Sequence, residues 1–263
     1  VIFFPFVPGV GVVIFGDMST GRKTAMLPVL SSFVQPQPRN PMPPKSTGLR
    51  FFLVLAVAIV SGSLSTAFAQ VHVACVGDSI TAGYGLADPG RYSYPAQLQS
   101  LLGSGFVVGN FGRSGATALK RSDNTYWNSS QYRASLKSAP DFVIIMLGTN
   151  DSKSWNWNAT KFNTDYRALI AQYQGLSSAP RVYICLIPPV YVPNAFGTTF
   201  DPAFIQNVIV PAIRNIATQT GVTLIDNNTP LQNHPEYFSD GVHPTEQGAN
   251  IIANTVYNAL LAP

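Results

Sequence analysis

The chain has 263 residues, a length that suits one globular domain or one domain with an extension. Its formal charge of +4 belongs to the first 69 residues, where Arg22, Lys23, Arg39, Lys45 and Arg50 face only Asp17. Removing those five from the 16 basic residues and that one from the 12 acidic leaves eleven of each, and no basic patch interleaved with aromatics remains, so the basic charge is no argument for nucleic-acid binding and none is expected.

Residues 1–41 are interrupted by Pro5, Pro8 and several glycines, and Gln35 to Pro44 is proline-rich. They read as an upstream extension ahead of a true start at Met42. A mature N-terminus upstream of Met42, found by mass spectrometry, would contradict this. Residues 42–69 read as a secretory signal peptide. Lys45 and Arg50 supply the positive region, Phe51–Val60 the apolar core, and Ala67-Phe68-Ala69 the cleavage site, leaving Gln70 as the mature start. The apolar run is short for a membrane span, which takes about 20 residues, and the competing reading is an uncleaved anchor. The expectation is a secreted or periplasmic protein, residues 70–263, without stable membrane association after cleavage.

From Val71 onward, short apolar runs alternate with amphipathic stretches. Val71–Val76, Phe106–Val108, Phe142–Leu147, Val182–Ile187 and Val222–Ile225 read as strands. Their nearly unbroken apolar character fits strands covered on both faces, as in a parallel sheet. Pro95–Leu102, Phe162–Tyr173, Pro202–Thr220 and Glu246–Leu261 read as helices, with Gly221 stopping the third. Their apolar stripes are core faces. The alternation predicts an α/β fold, a three-layer α/β/α sandwich around a mostly parallel five-stranded sheet. Cys75 and Cys185 lie in strand-like runs and read as buried thiols. No cysteine–histidine cluster has zinc spacing, and no cofactor or metal is implied.

Four polar clusters follow strands or precede the last helix. Gly77-Asp78-Ser79-Ile80 follows the first strand. Asn110-Phe111-Gly112-Arg113-Ser114-Gly115-Ala116-Thr117 follows the second, and Gly148-Thr149-Asn150-Asp151 the third. Asp240-Gly241-Val242-His243 comes before the final helix. In a parallel sheet all four can meet at one edge, beyond the carboxyl ends of the strands. Asp78-Ser79 taken alone also fits a helix cap, and Asn150-Asp151 a turn. His72 reads as structural. His234 is a poor rival to His243, because no aspartate lies three residues before it. There is no Gly-x-Ser-x-Gly elbow, P-loop or dinucleotide fingerprint.

These four motifs, in this order, resemble the GDSL or SGNH hydrolase family over about residues 71–261, with Ile80 where the family usually has leucine. The resemblance implies a flavodoxin-like SGNH hydrolase fold and a serine esterase. It implies that Ser79 is the group to attack an ester carbonyl, that His243 is to take its proton and return it to the leaving alcohol, and that Asp240 is to hold the imidazole. It also implies an oxyanion hole made of the Ser79 and Gly115 backbone N–H groups and the Asn150 side-chain amide. Asp78 is expected to fix loop geometry.

For the substrate, Tyr126 and Trp127 lie between the second and third strands, and Trp155 and Trp157 follow Asn150. Aromatic loop residues near a catalytic edge suit sugar rings, although indoles also cover cores. The local pattern resembles a secreted branch of the family regarded as carbohydrate O-acetylesterases, so an acetylated glycan or another small ester is the expected partner. The alternative is a broad arylesterase, lysophospholipase or thioesterase, with Leu86, Val190, Tyr191, Val192 and Phe196 as an apolar trough.

Overall fold

A computed structural model describes residues 69–262. The segment 1–41 and nearly all of the signal sequence 42–69 lie outside them. Five strands, β1 (Val71–Gly77), β2 (Phe106–Gly112), β3 (Phe142–Met146), β4 (Arg181–Leu186) and β5 (Thr223–Asp226), form one sheet in the order β2-β1-β3-β4-β5. Every neighbouring pair is parallel. This is the flavodoxin-like order, whose switch point lies between β1 and β3.

The inner strands read correctly from sequence because both of their faces are covered. Val143 to Met146 and Tyr183 to Leu186 are buried without interruption, and a buried Ile or Leu side chain contributes about 1.5–3 kcal/mol. Strand β2 runs four residues beyond its apolar part. Gly109-Asn110 looks like a turn in sequence, yet the backbone pairing continues to Gly77↔Gly112, and the Asn110 amide donates to the Thr81 carbonyl at 2.9 Å.

Helices α1 (Ser79–Ala82), α2 (Pro89–Tyr92) and α3 (Tyr94–Leu102) lie between β1 and β2, and α4 (Ser130–Lys137) between β2 and β3. Helix α5 (Ala159–Gln174) joins β3 to β4, α6 (Pro202–Phe204) and α7 (Val210–Thr220) lie between β4 and β5, and α8 (Glu246–Leu261) closes the chain. The first crossover runs opposite to the later ones. Right-handed connections therefore put α3 on one face of the sheet and α4, α5 and α7 on the other. The packing agrees, with α3 against α8 and α5 against α7.

Helices α1, α2 and α4 are additions to the sequence reading. Helix α4 has few apolar residues, and its signal is the Ser129 hydroxyl accepting from Tyr132 N–H at 2.9 Å. The stretch 202–220, read as one helix, contains a π-turn at Ile205–Ile209, where Val210 N–H bonds to Ile205 O. Pro211 follows at once. It cannot donate to the preceding turn, and its ring would crowd the carbonyl there, which the wider turn relieves. Cys75 and Cys185 are buried free thiols. Among the described residues, no helix is long and apolar enough to cross a membrane.

Candidate active site

The register places the site. Gly77 is level with Gly112 on one side and Met146 on the other, so the segments after β1, β2 and β3 leave the sheet together. Helix α1 starts there and sits tightly on the strand ends. A Cβ at Gly112 would lie 2.2 Å from the Ala82 backbone nitrogen. Asp78 caps α1, its Oδ1 accepting from Ile80 N–H at 3.0 Å. The capping role suggested by sequence is therefore real, and it presents Ser79 at the first helical position.

Ser79 Oγ lies 2.8 Å from His243 Nε2, and Asp240 Oδ2 lies 2.6 Å from His243 Nδ1. The other Asp240 oxygen accepts from the backbone N–H groups of Val242 at 2.9 Å and His243 at 2.7 Å. The three-residue spacing thus lets one carboxylate hold both the turn and the ring. Burial alone would raise the Asp240 pKa. The bonds from His243 N–H, the His243 ring and Val242 N–H outweigh it and hold the group below its ordinary value. An ionised Asp240 accepts only, so Nδ1 carries the proton and Nε2 is left to accept from the Ser79 hydroxyl.

The residues of the three oxyanion candidates line one cavity with this serine. The Ser79 N–H opens α1, where no intrahelical acceptor exists. Gly115 has φ +79°, a conformation other residues adopt reluctantly. Asn150 is buried, and its Nδ2 lies 3.3 Å from Asp78 Oδ2. An amide nitrogen has two hydrogens, so the second is free for a ligand. Ser79, Gly115, Asn150 and His243 line one cavity of about 440 Å³, toward the small end of the ligand-site range of about 300–1,000 Å³.

The aromatic expectations divide. Trp155 lines the cavity and is 62% exposed. The other three do not line it, and their expected substrate contacts are corrected here. Tyr126 is fully buried, and its hydroxyl donates to Phe111 O at 2.7 Å. Thr125 caps the 3₁₀ turn Tyr126–Asn128 and turns that ring inward. Trp127 donates to Ala118 O at 2.9 Å and packs on Tyr132. Trp157 packs between Phe162 and Phe204. Of the expected apolar trough only Phe196 reaches the cavity; Leu86, Val190, Tyr191 and Val192 do not line it. His234 lies elsewhere, paired with Glu236 at 2.8 Å.

Sequence reasoning missed Tyr84, Lys153, Thr199 and Phe200 as cavity-lining residues. The rings of Tyr84 and Phe196 lie 4.6 and 5.6 Å from that of His243. They come from loops without periodicity. The only sequence signal was Gly83-Tyr84-Gly85, in which both glycines have positive φ. Among the described residues, no group of three or more His, Cys, Asp or Glu side chains could hold a metal ion.

With this geometry in view, comparison with known proteins gives the class. The model of the GDSL-like lipase/acylhydrolase family matches residues 75–251, and the chain belongs to that family. Over 209 residues it is 33% identical to an acetylxylan esterase of Xylanibacter ruminicola. That match covers 72% of this chain and 43% of the relative, so the chain spans less than half of that protein's length. Solved structures share the fold. An aryl esterase of M. smegmatis is 20% identical with TM-score 0.61, covering 73% of this chain and 98% of that one. A carbohydrate acetylesterase family member from Sinorhizobium meliloti is 21% identical with TM-score 0.60, covering 73% and 97%.

Proposed function

We propose that the chain is a secreted serine esterase that removes O-acetyl groups from carbohydrates through an acyl-enzyme intermediate. The observation that carries the reading is the hydrogen-bonded series Ser79–His243–Asp240 at the wall of a cavity. His243 Nε2 accepts the Ser79 proton as Oγ bonds to the acetyl carbonyl carbon. The carbonyl oxygen gains charge facing the Ser79 and Gly115 N–H groups and the Asn150 amide. The imidazolium, steadied by Asp240, gives its proton to the sugar oxygen as the bond from that oxygen to the carbonyl carbon breaks, leaving the sugar hydroxyl and an acetyl ester on Ser79. Water, deprotonated by the same nitrogen, then releases acetate and restores Ser79.

The sugar assignment is supported by the acetylxylan esterase relative and by the exposed indole of Trp155 at the cavity. Acetate release from acetylated xylan by the wild-type chain, lost in Ser79→Ala, tests it. Equal release by the variant would remove Ser79 as nucleophile. A second reading, a broad arylesterase, lysophospholipase or thioesterase, is favoured by the apolar Tyr84, Phe196 and Phe200 in the same wall. Activity rising from acetyl to octanoyl esters would select it.

A further inference from the structure

Trp155, Lys153 and Asn156 converge on one carboxylate outside the cavity wall, that of Asp123 in the loop between β2 and α4. Asp123 Oδ2 accepts from Trp155 Nε1 at 3.0 Å and faces Lys153 Nζ at 3.5 Å. Its Oδ1 accepts from the Asn156 amide at 2.7 Å, and its backbone N–H returns a bond to Asn156 Oδ1 at 3.2 Å. The same Asn156 amide donates to the backbone carbonyl of Asn150 at 3.1 Å. Asp123 is therefore one bond from the exposed cavity indole and two from the residue carrying a candidate oxyanion donor.

Both connections have physical consequences. An exposed Trp that is free to rotate must be ordered when a ligand stacks on it, a cost of about 0.5–1.5 kcal/mol per immobilised side chain. The bond to Asp123 orders the indole beforehand. Lys153 Nζ, 5.8 Å from the centroid of the same ring, adds a cationic neighbour. The Asn156 amide is held by two acceptors, so the Asn150 backbone is anchored to the Asp123 loop. The group stays ionised. Burial acts against that, but the bonds from Trp155, Asn156 and Lys153 outweigh it and hold its pKa below the ordinary value.

We propose that Asp123 is a positioning residue that joins glycan recognition to catalysis, fixing Trp155 as a stacking face for the acetylated sugar and, through Asn156, setting the segment that carries Asn150. This rests on the carbohydrate deacetylase reading above. It assigns a role to a residue that reaches neither substrate nor nucleophile.

The test compares an acetylated xylo-oligosaccharide with ethyl acetate, which has no ring to stack. In Asp123→Ala the KM for the oligosaccharide rises on the order of tenfold, the size expected for about 1.4 kcal/mol of lost binding. The KM for ethyl acetate stays within about twofold, and kcat falls for both substrates because Asn150 loses its anchor. Asp123→Asn, which keeps an acceptor without the charge, recovers part of the loss. Acrylamide quenching of tryptophan emission increases in Asp123→Ala as the indole is released, a readout independent of activity. An equal KM shift for both substrates, or unchanged kinetics and quenching, overturns the proposal. If Asp123→Ala does not fold, Trp155→Phe decides. It keeps a phenyl face, smaller than the indole, and removes the N–H that bonds Asp123, so a wild-type KM for the oligosaccharide overturns the link. A wild-type chain that cleaves neither ester would defeat the esterase reading itself, and the quenching result would still report on the Asp123–Trp155 bond.

Discussion

The Asn150 amide nitrogen lies 3.3 Å from a carboxylate oxygen of Asp78, the residue immediately before Ser79. Both groups are buried, and the other Asp78 oxygen is occupied by Ile80 N–H. Asp78 therefore serves two neighbours at once, capping the turn that presents the serine and orienting an amide beside it. Asn150→Ala is expected to lower kcat about 10²–10³-fold, about 2.7–4 kcal/mol, with a much smaller change in KM, as for loss of an oxyanion donor. Steady-state kinetics on an acetyl ester checks this. A rise in KM with unchanged kcat would place Asn150 in ground-state binding instead.

Asp78 and Asp151 form a buried acidic pair that the proposed chemistry does not consume. Burial pushes the Asp78 carboxyl up to about 6, against the bonds from Ile80 and Asn150 and the charge of His243. Burial likewise pushes Asp151 up to about 7, opposed by Ala118 and Leu119 N–H and aided by the charge of Asp78. An acid with a raised folded-state pKa keeps its proton longer when folded than when unfolded. Its stabilising contribution is complete below the unfolded value, about 4, and is lost as pH rises through the folded one. Thermal unfolding of the wild type and Asp151→Asn from pH 4 to pH 8 isolates the effect. The wild type should lose stability relative to the variant across that window, and a pH-independent difference between them would contradict the assignment.

Phe196 and Tyr84 bring aromatic rings to His243. Phe196 also lines the cavity where an acyl group would extend from Ser79. Phe196→Ala should enlarge that space and raise the octanoyl-to-acetyl rate ratio. About tenfold is expected, since one methylene in a pocket is worth about 1–3 kcal/mol. A chain-length series on matched esters measures it. An unchanged ratio would show that the acyl chain leaves in another direction.

The parts of this molecule legible in sequence are those governed by repetition. Val143 to Met146 and Tyr183 to Leu186 are apolar throughout because helices cover both faces of the sheet. Ile213 and Ile216 recur because one face of a helix is buried. The Asp240–His243 spacing was legible because one turn supplies both partners. Strand β2 past Val108 was not, because Asn110 is satisfied by Thr81, a contact made only in the folded chain. The aromatic loop residues were ambiguous for a related reason. Trp155 and Trp157 are two positions apart, yet one is exposed at the cavity and the other packs on Phe162. Local composition cannot separate two such indoles, since the loop's path is set by Asp123 and Asn156.

Gly115 tests whether backbone geometry, and not only side-chain chemistry, is needed at the site. Its φ of +79° lies in the left-handed region, and a Cβ there would come 2.8 Å from Asn124 Nδ2. That amide is not free to swing away. It donates to Ser114 O at 2.9 Å, and its oxygen accepts from Arg113 at 2.7 and 3.0 Å. Gly115→Ala therefore carries a conformational cost of about 1–2 kcal/mol and displaces either Asn124 or the Gly115 N–H itself. Displacement of the N–H removes it from the forming oxyanion, so kcat should fall by about tenfold to a hundredfold, part of the loss for a deleted donor. The melting temperature should fall by only a few degrees, because the loop lies outside the sheet. Wild-type kcat in a folded Gly115→Ala protein would remove this N–H from the oxyanion hole and leave Ser79 and Asn150 as its donors.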